Sequence, residues 1–254
     1  RWFGQRYFYG WIMVAVAGLM LFVTGPAQSF TFSVFVTPIT ESLGLSRTSV
    51  SAAYGFATLG AAFLLPYVGR LVDRWGVRRM AFGLTVLMGL AAVGFGQVPN
   101  LALLVLGFGL LRFLGQGSLM LCASNLVAQW FSRRRGFALS LMSLGFSAGF
   151  AVYPPLAQWL ILRVGWRQAW TWLGLLTVGL MLPPLLLVRD RPEDIGLLPD
   201  GERRPDTAEP AVAVKMPGVT LAEALRMPVF WVVAFSAGIV SMLVTVMVFH
   251  QVSI

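Results

Sequence analysis

"GRLVDRWGVRRM", residues 69–80, sets four arginines and one aspartate inside a chain of 254 residues that is 57% hydrophobic and only 11% charged. Soluble domains carry about 25% charged residues, so a chain this oily belongs in a bilayer, and the charged stretch marks where it leaves one. A hydrocarbon core about 30 Å thick takes roughly 20 mostly apolar residues to cross as a helix. Working outward from residues 69–80, apolar runs of that length lie at 9–36, 48–68, 80–98, 101–129, 136–160, 168–188 and 227–250. Lipid offers no partner to a free backbone group, and period-2 alternation is missing, so seven helices are expected rather than a barrel. The first run is too long for a signal-peptide core and has no small-residue cleavage site after it, so it is expected to stay in the mature protein.

The arginines fall in alternate loops. Arg1 and Arg6 precede span 1, Arg70, Arg74, Arg78 and Arg79 separate spans 2 and 3, and Arg133, Arg134 and Arg135 separate spans 4 and 5. Arg189, Arg191, Arg203, Arg204, Lys215 and Arg226 lie between spans 6 and 7, whereas the opposite loops hold only Arg47, Arg163 and Arg167. This asymmetry predicts a cytoplasmic amino terminus. It also removes the nucleic-acid reading of the net charge of +9, because no single soluble basic face collects the charge. The one cysteine, Cys122, lies within span 4, so no internal disulfide exists.

Three regions follow: a six-helix bundle over 1–188, a solvated linker over 189–226, and a further span over 227–254. The linker's Pro and charge content predicts a flexible or partly disordered segment, ending in a short surface helix capped by Thr220 with Glu223 three positions on. "YGWIMVAVAG" (9–18) and "VFWVVAFSAG" (229–238) place tryptophan and a closing Ala-Gly at the same positions. The pair suggests a parallel repeat in which a second six-helix half begins at span 7 and the chain is a fragment of it.

The opening stretch reads G-x-L-x-D-R-x-G-x-R-R through Gly69, Leu71, Asp73, Arg74, Gly76, Arg78 and Arg79. It resembles the signature loop between the second and third helices of the major facilitator superfamily. The resemblance implies an all-α polytopic membrane protein with the major facilitator fold, an inner gate at these residues, and a latch formed by Asp73, Arg74 and Arg78. In span 4, Arg112, Gln116 and Gly117 resemble the family's second motif, R-x-x-x-Q-G. "WFSRRRGFALSLMSLG" (130–145) is partly similar to a monocarboxylate-carrier signature through Phe131, Arg134, Arg135, Ala138 and Gly145. "DRPEDIGL" and "LAEALRMPVFW" look like bacterial members related to monocarboxylate and oxalate/formate carriers. An antiporter motif G-x-x-x-G-P is half present: Gly145 and Gly149 have the spacing, but Phe150 stands where proline would be, so helix packing through small residues is the expected role.

A buried arginine in a bilayer faces a cavity or a partner, which makes Arg112, with Gln116 one turn on, the candidate cation for binding an anionic substrate or tuning a coupling proton; an arginine satisfied by helix-end carbonyls is the alternative. Thr24, Gln28 and Thr31 form a polar stripe on span 1, bent at Gly25–Pro26. Cavity lining and interhelical hydrogen bonding both fit such a stripe; Tyr54 in span 2 is a further candidate. All ten acidic residues are assigned to loops, which leaves His250, near the end of span 7, as the candidate for a coupling proton. There is no phosphate-cradling loop, metal-ligand cluster or paired nucleophile, so neither an enzyme, a cofactor nor a metal is expected. The expected function is secondary transport of a small organic anion, a monocarboxylate, by alternating access in a bacterial inner membrane. Carriage of neutral or cationic solutes, and a non-transporting membrane receptor or assembly partner, are the alternatives.

Overall fold

The computed structural model describes residues 8–201 and 221–250, with side chains of the second stretch described over 223–247. Every regular element among them is helical. The first expected span is two helices, α1 (Gly10–Val23) and α2 (Ser29–Leu43), joined by a 3-10 turn at Gly25–Ala27 and an extended Gln28. Pro26 brings this break about, since it lacks an N–H and its ring crowds the preceding turn.

α3 (Arg47–Trp75) starts on Ser46, whose hydroxyl accepts the Ser49 N–H at 3.0 Å. It runs on through the stretch expected to be a loop. Arginine is a good helix former, so residues 69–75 continue α3 beyond the apolar run, and Gly76 alone separates α3 from α4 (Val77–Phe95). Gly76 sits at φ 81°, ψ 159°, a region open essentially to glycine.

α5 (Leu101–Leu111) passes into a π-helix over Arg112–Leu119 and then α6 (Met120–Trp130). α7 (Arg135–Leu185) contains both the fifth and sixth expected spans, divided at Gly165 with φ 78° and ψ 160°. Four segments of this six-span unit qualify as crossings by length and apolarity: α3, α4, α5 through α6, and α7.

Glycine-to-backbone crossings hold the bundle together. A Cβ at Gly145 would overlap the Gly18 carbonyl, and one at Gly149 would stand 3.3 Å from the Phe22 oxygen. Between α4 and the second part of α7, a Cβ at Gly174 would lie 2.7 Å from the Gly89 oxygen. Small residues at such crossings let backbones approach closely, which is how helices gain packing energy in lipid. Phe32, Phe35, Phe95, Phe108 and Trp170 then fill the space between α2, α4, α5 and α7, with ring centroids 4.6–6.0 Å apart.

The first part of the expected linker is ordered. Residues 189–201 form two 3-10 turns, Pro192–Ile195 and Pro199–Gly201, and belong to the same compact unit as the bundle. The second unit contains the short helix α8 (Leu221–Ala224) and α9 (Pro228–His250), which is long and apolar enough to cross a membrane over 228–247. Within it the Trp231 indole donates to the Leu225 carbonyl at 2.9 Å. Thr220, the expected cap, lies outside the described residues.

Candidate functional site

On the arginine-rich side, the amino end of α4 is met by a carboxylate. It comes from Asp190, whose Oδ1 accepts the Arg78 N–H at 2.8 Å while a Cβ on Gly76 would stand 2.6 Å from its Oδ2. The aspartate of the signature, Asp73, is exposed on the last turn of α3, as is Arg74, and neither makes a hydrogen bond or ion pair among the described residues. Gly69 passes Leu121 at ordinary contact distance, and Arg79 lies with Arg78, Phe82, Leu185 and Leu186 around a shallow pocket.

A second carboxylate repeats this arrangement. Asp200 accepts the backbone N–H groups of Ser132 (3.0 Å), Arg133 (2.7 Å) and Arg134 (3.3 Å) at the entrance to α7. Slight burial pushes the Asp200 carboxyl up, but the three N–H bonds and the Arg134 charge outweigh it, so the group titrates below its ordinary value. Neither Asp190 nor Asp200 was singled out from sequence. The signal available for Asp200 was the Pro199-Asp200-Gly201 turn, a sequence that fixes a sharp reversal; Asp200 itself has φ 62°.

Halfway along the chain's fourth crossing, the π-helix carries Arg112, 6% exposed. Its guanidinium lies 5.0 Å from the Tyr54 ring centroid and donates to the Ala27 carbonyl at 3.4 Å. The carbonyl is presented to Arg112 because the 3-10 turn at Gly25–Ala27 interrupts the helical ladder beside it. Tyr54 in turn pairs with the Ser29 hydroxyl at 2.9 Å. Among the described residues no carboxylate forms an ion pair with Arg112. Gln116, one turn further, keeps its Oε1 buried and without a hydrogen-bond partner.

The polar stripe of the first span closes on itself. Thr24 donates to the Leu21 carbonyl at 2.7 Å, Gln28 donates to the Thr24 hydroxyl at 3.0 Å, and Thr31 donates to the Gly25 carbonyl at 2.6 Å. Thr24 and Thr31 are fully buried and Gln28 is 3% exposed. Of the six expected cavity residues, the structure thus brings Tyr54 and Arg112 into direct contact, sets Gln116 on the same π-helix, and gathers Thr24, Gln28 and Thr31 around the break that supplies the Ala27 carbonyl. The Tyr153 hydroxyl on α7 is also buried and unpaired, its ring packed against Gly25 and Phe22. The side chain of His250 lies outside the described residues.

The family model of the Major Facilitator Superfamily matches residues 9–254. The chain is 31% identical to an uncharacterised 38 kDa protein encoded in the 23S RNA operon of Thermoproteus tenax over 70% of this chain and 47% of that protein. It is 26% identical to the uncharacterised MFS-type transporter YhjX of Escherichia coli over 81% of this chain and 48% of the relative. Identity to the oxalate:formate antiporter of Oxalobacter formigenes is 28% over 90% of this chain and 50% of the antiporter. The chain therefore spans about half the length of these curated relatives.

Proposed function

The chain belongs to the Major Facilitator Superfamily, and on that premise we propose that it forms part of a secondary carrier for a small organic anion, a monocarboxylate, working by alternating access. It is a membrane-embedded, multi-pass protein. The observation that carries the substrate class is Arg112: a guanidinium held within a membrane crossing by a tyrosine ring and one long carbonyl contact, with no carboxylate among the described residues to neutralise it. Burying a charge in that setting is costly unless a partner arrives. A substrate carboxylate supplies the partner, taking two parallel N–H bonds from the planar guanidinium. The unpaired Gln116 Oε1 beside it gives a hydroxyl on the substrate an acceptor. The name of the Oxalobacter relative supports an anionic cargo.

In this reading the arginine-rich ends face the cytoplasm of a bacterial cell, following the distribution of positive charge, and the signature residues Gly69, Asp73, Arg74, Gly76, Arg78 and Arg79 form the inner gate. Asp73, exposed and unbonded among the described residues, is the group available to latch. Thr24, Gln28 and Thr31 shape the helix break that presents the Ala27 carbonyl, and His250 is the candidate for a coupling proton. The test is uptake of radiolabelled short carboxylates by cells expressing the full reading frame. Arg112→Ala is expected to lower uptake at least about 100-fold, in line with the loss of a buried charge pair worth about 3 kcal/mol or more, while the protein still reaches the membrane. Unchanged uptake removes Arg112 from the site. Uptake that short carboxylates do not compete with removes the anion.

A further inference from the structure

The two parts of α7 diverge from Gly165 and leave an apolar groove between them, with a volume of about 610 Å³, walled by Leu156, Trp159 and Arg163 on one side and Trp172, Leu175 and Gly179 on the other. Its floor is open at Gly179, where an added Cβ would meet nothing within 4 Å. The groove mouth is at the arginine-poor end of the bundle, because Arg167, two residues past the Gly165 break, donates to the Gly96 and Val98 carbonyls of the α4–α5 connection at 3.2 and 3.1 Å.

Three arginines serve that end, and their partners differ. Arg167 is satisfied by the two carbonyls, and Arg47 reaches the Thr37 hydroxyl at 3.4 Å. Arg163 is exposed and makes no hydrogen bond among the described residues; its one contact is the Trp159 ring, 5.9 Å from the guanidinium carbon. Trp159 and Trp172, 54% and 53% exposed, line the same groove, and tryptophan is the side chain enriched at membrane–water boundaries. Below Arg163 the wall descends from 163 to 156, about 10 Å at the helical rise per residue, and the groove walls are apolar.

We propose that this groove binds an anionic phospholipid of the leaflet on the arginine-poor side, with the phosphate on Arg163 and one acyl chain running down between the two parts of α7. Arginine offers a phosphate two parallel charge-assisted bonds, and the groove beneath supplies only dispersion and hydrophobic contact, which suits a hydrocarbon chain. An irregular peptide would bring N–H and C=O groups that nothing there can satisfy. A second copy packed two-fold on the same face would set Arg163 against its own like charge. The site rests on the chain's being membrane-embedded and is independent of the substrate.

The full-length protein, purified in detergent, is mixed with equal amounts of phosphatidylglycerol and phosphatidylcholine bearing identical chains, and the retained lipids are counted by native mass spectrometry. The wild type is expected to retain phosphatidylglycerol about fivefold over phosphatidylcholine, the factor that one interfacial arginine contributes to anionic-lipid attraction. Arg163→Gln should bring that ratio to about one. Gly179→Leu, which fills the floor, should lower retention of both lipids and keep their ratio. Equal retention of the two lipids by the wild type overturns the proposal, as does an Arg163→Gln protein with the wild-type ratio. Displacement of the lipid by glycerol phosphate, which has no chain, or by a second protein copy at high concentration, also overturns it.

Discussion

The turns at Gly76 and Gly165 have nearly the same backbone, φ 81° and ψ 159° against φ 78° and ψ 160°, at opposite ends of the bundle. Their sequences correspond as well: Arg-Trp-Gly-Val-Arg over 74–78 and Arg-Val-Gly-Trp-Arg over 163–167. Each joins the second and third crossings of a three-helix set, which fits the inverted three-helix repeats nested within a facilitator half. The bracing differs. The Gly76 turn is closed by Asp190, a carboxylate from outside the turn that fills the space of the missing Cβ and bonds the Arg78 N–H. The Gly165 turn has nothing over its Cα and is tied down by its own Arg167. One strained backbone is thus stabilised by two unrelated devices, and the one that depends on a distant residue has less room for change.

Gly76→Ala tests that difference most severely. Forcing a Cβ into this region costs about 1–3 kcal/mol in backbone strain, and expelling Asp190 from the amino end of α4 removes a cap worth about 1 kcal/mol more. Thermal unfolding of the full chain in detergent should show the larger loss for this variant and a smaller one, strain alone at about 1–3 kcal/mol, for Gly165→Ala. Equal losses would mean that the Asp190 contact contributes nothing, and the comparison would collapse. Asp190→Ala sharpens it: its effect should shrink on the Gly76→Ala background, since contacting groups fail to add by about 0.5 kcal/mol or more.

The smallest effect is expected at Asp200. Asp200→Ala should cost about 1 kcal/mol through the lost cap, visible as faster proteolysis between residues 189 and 201. Because the folded-state pKa of Asp200 is depressed, its contribution is present above the ordinary carboxylate value and disappears as pH falls through the lower folded value. Protection of the 189–201 segment should therefore decline on acidification in the wild type and be insensitive to it, over that window, in the variant.

The all-helical membrane class and the family were legible in residues 69–80 and in the apolar runs, because bilayer thickness and charge asymmetry act on side-chain chemistry that a sequence displays, whereas helix bounds were not: the first run is two helices and the fifth and sixth share α7. Nor was the extent of α3: Asp73 and Arg74 mark the end of the apolar run, and a helix does not stop where apolarity stops. Gly145 and Gly149 showed their spacing but not their partners, Gly18 and Phe22, which contribute backbone oxygens. The same holds for the contacts of Asp190 and Asp200, whose partners are N–H groups with no side-chain signature. Arg112 stood out as a charge in an apolar run. The carbonyl of Ala27 could be assigned to it only once the break at Gly25–Ala27 was placed beside the π-helix.

The bond from Arg78 to Asp190 joins positions 112 apart. On the ribosome, α3 and α4 emerge well before the residue that closes the turn between them, and the entrance to α7 waits longer still for Asp200. Chains are made from the amino terminus, so the bond that closes the Gly76 turn can form only after synthesis passes residue 190, and those at the entrance to α7 only after it passes residue 200.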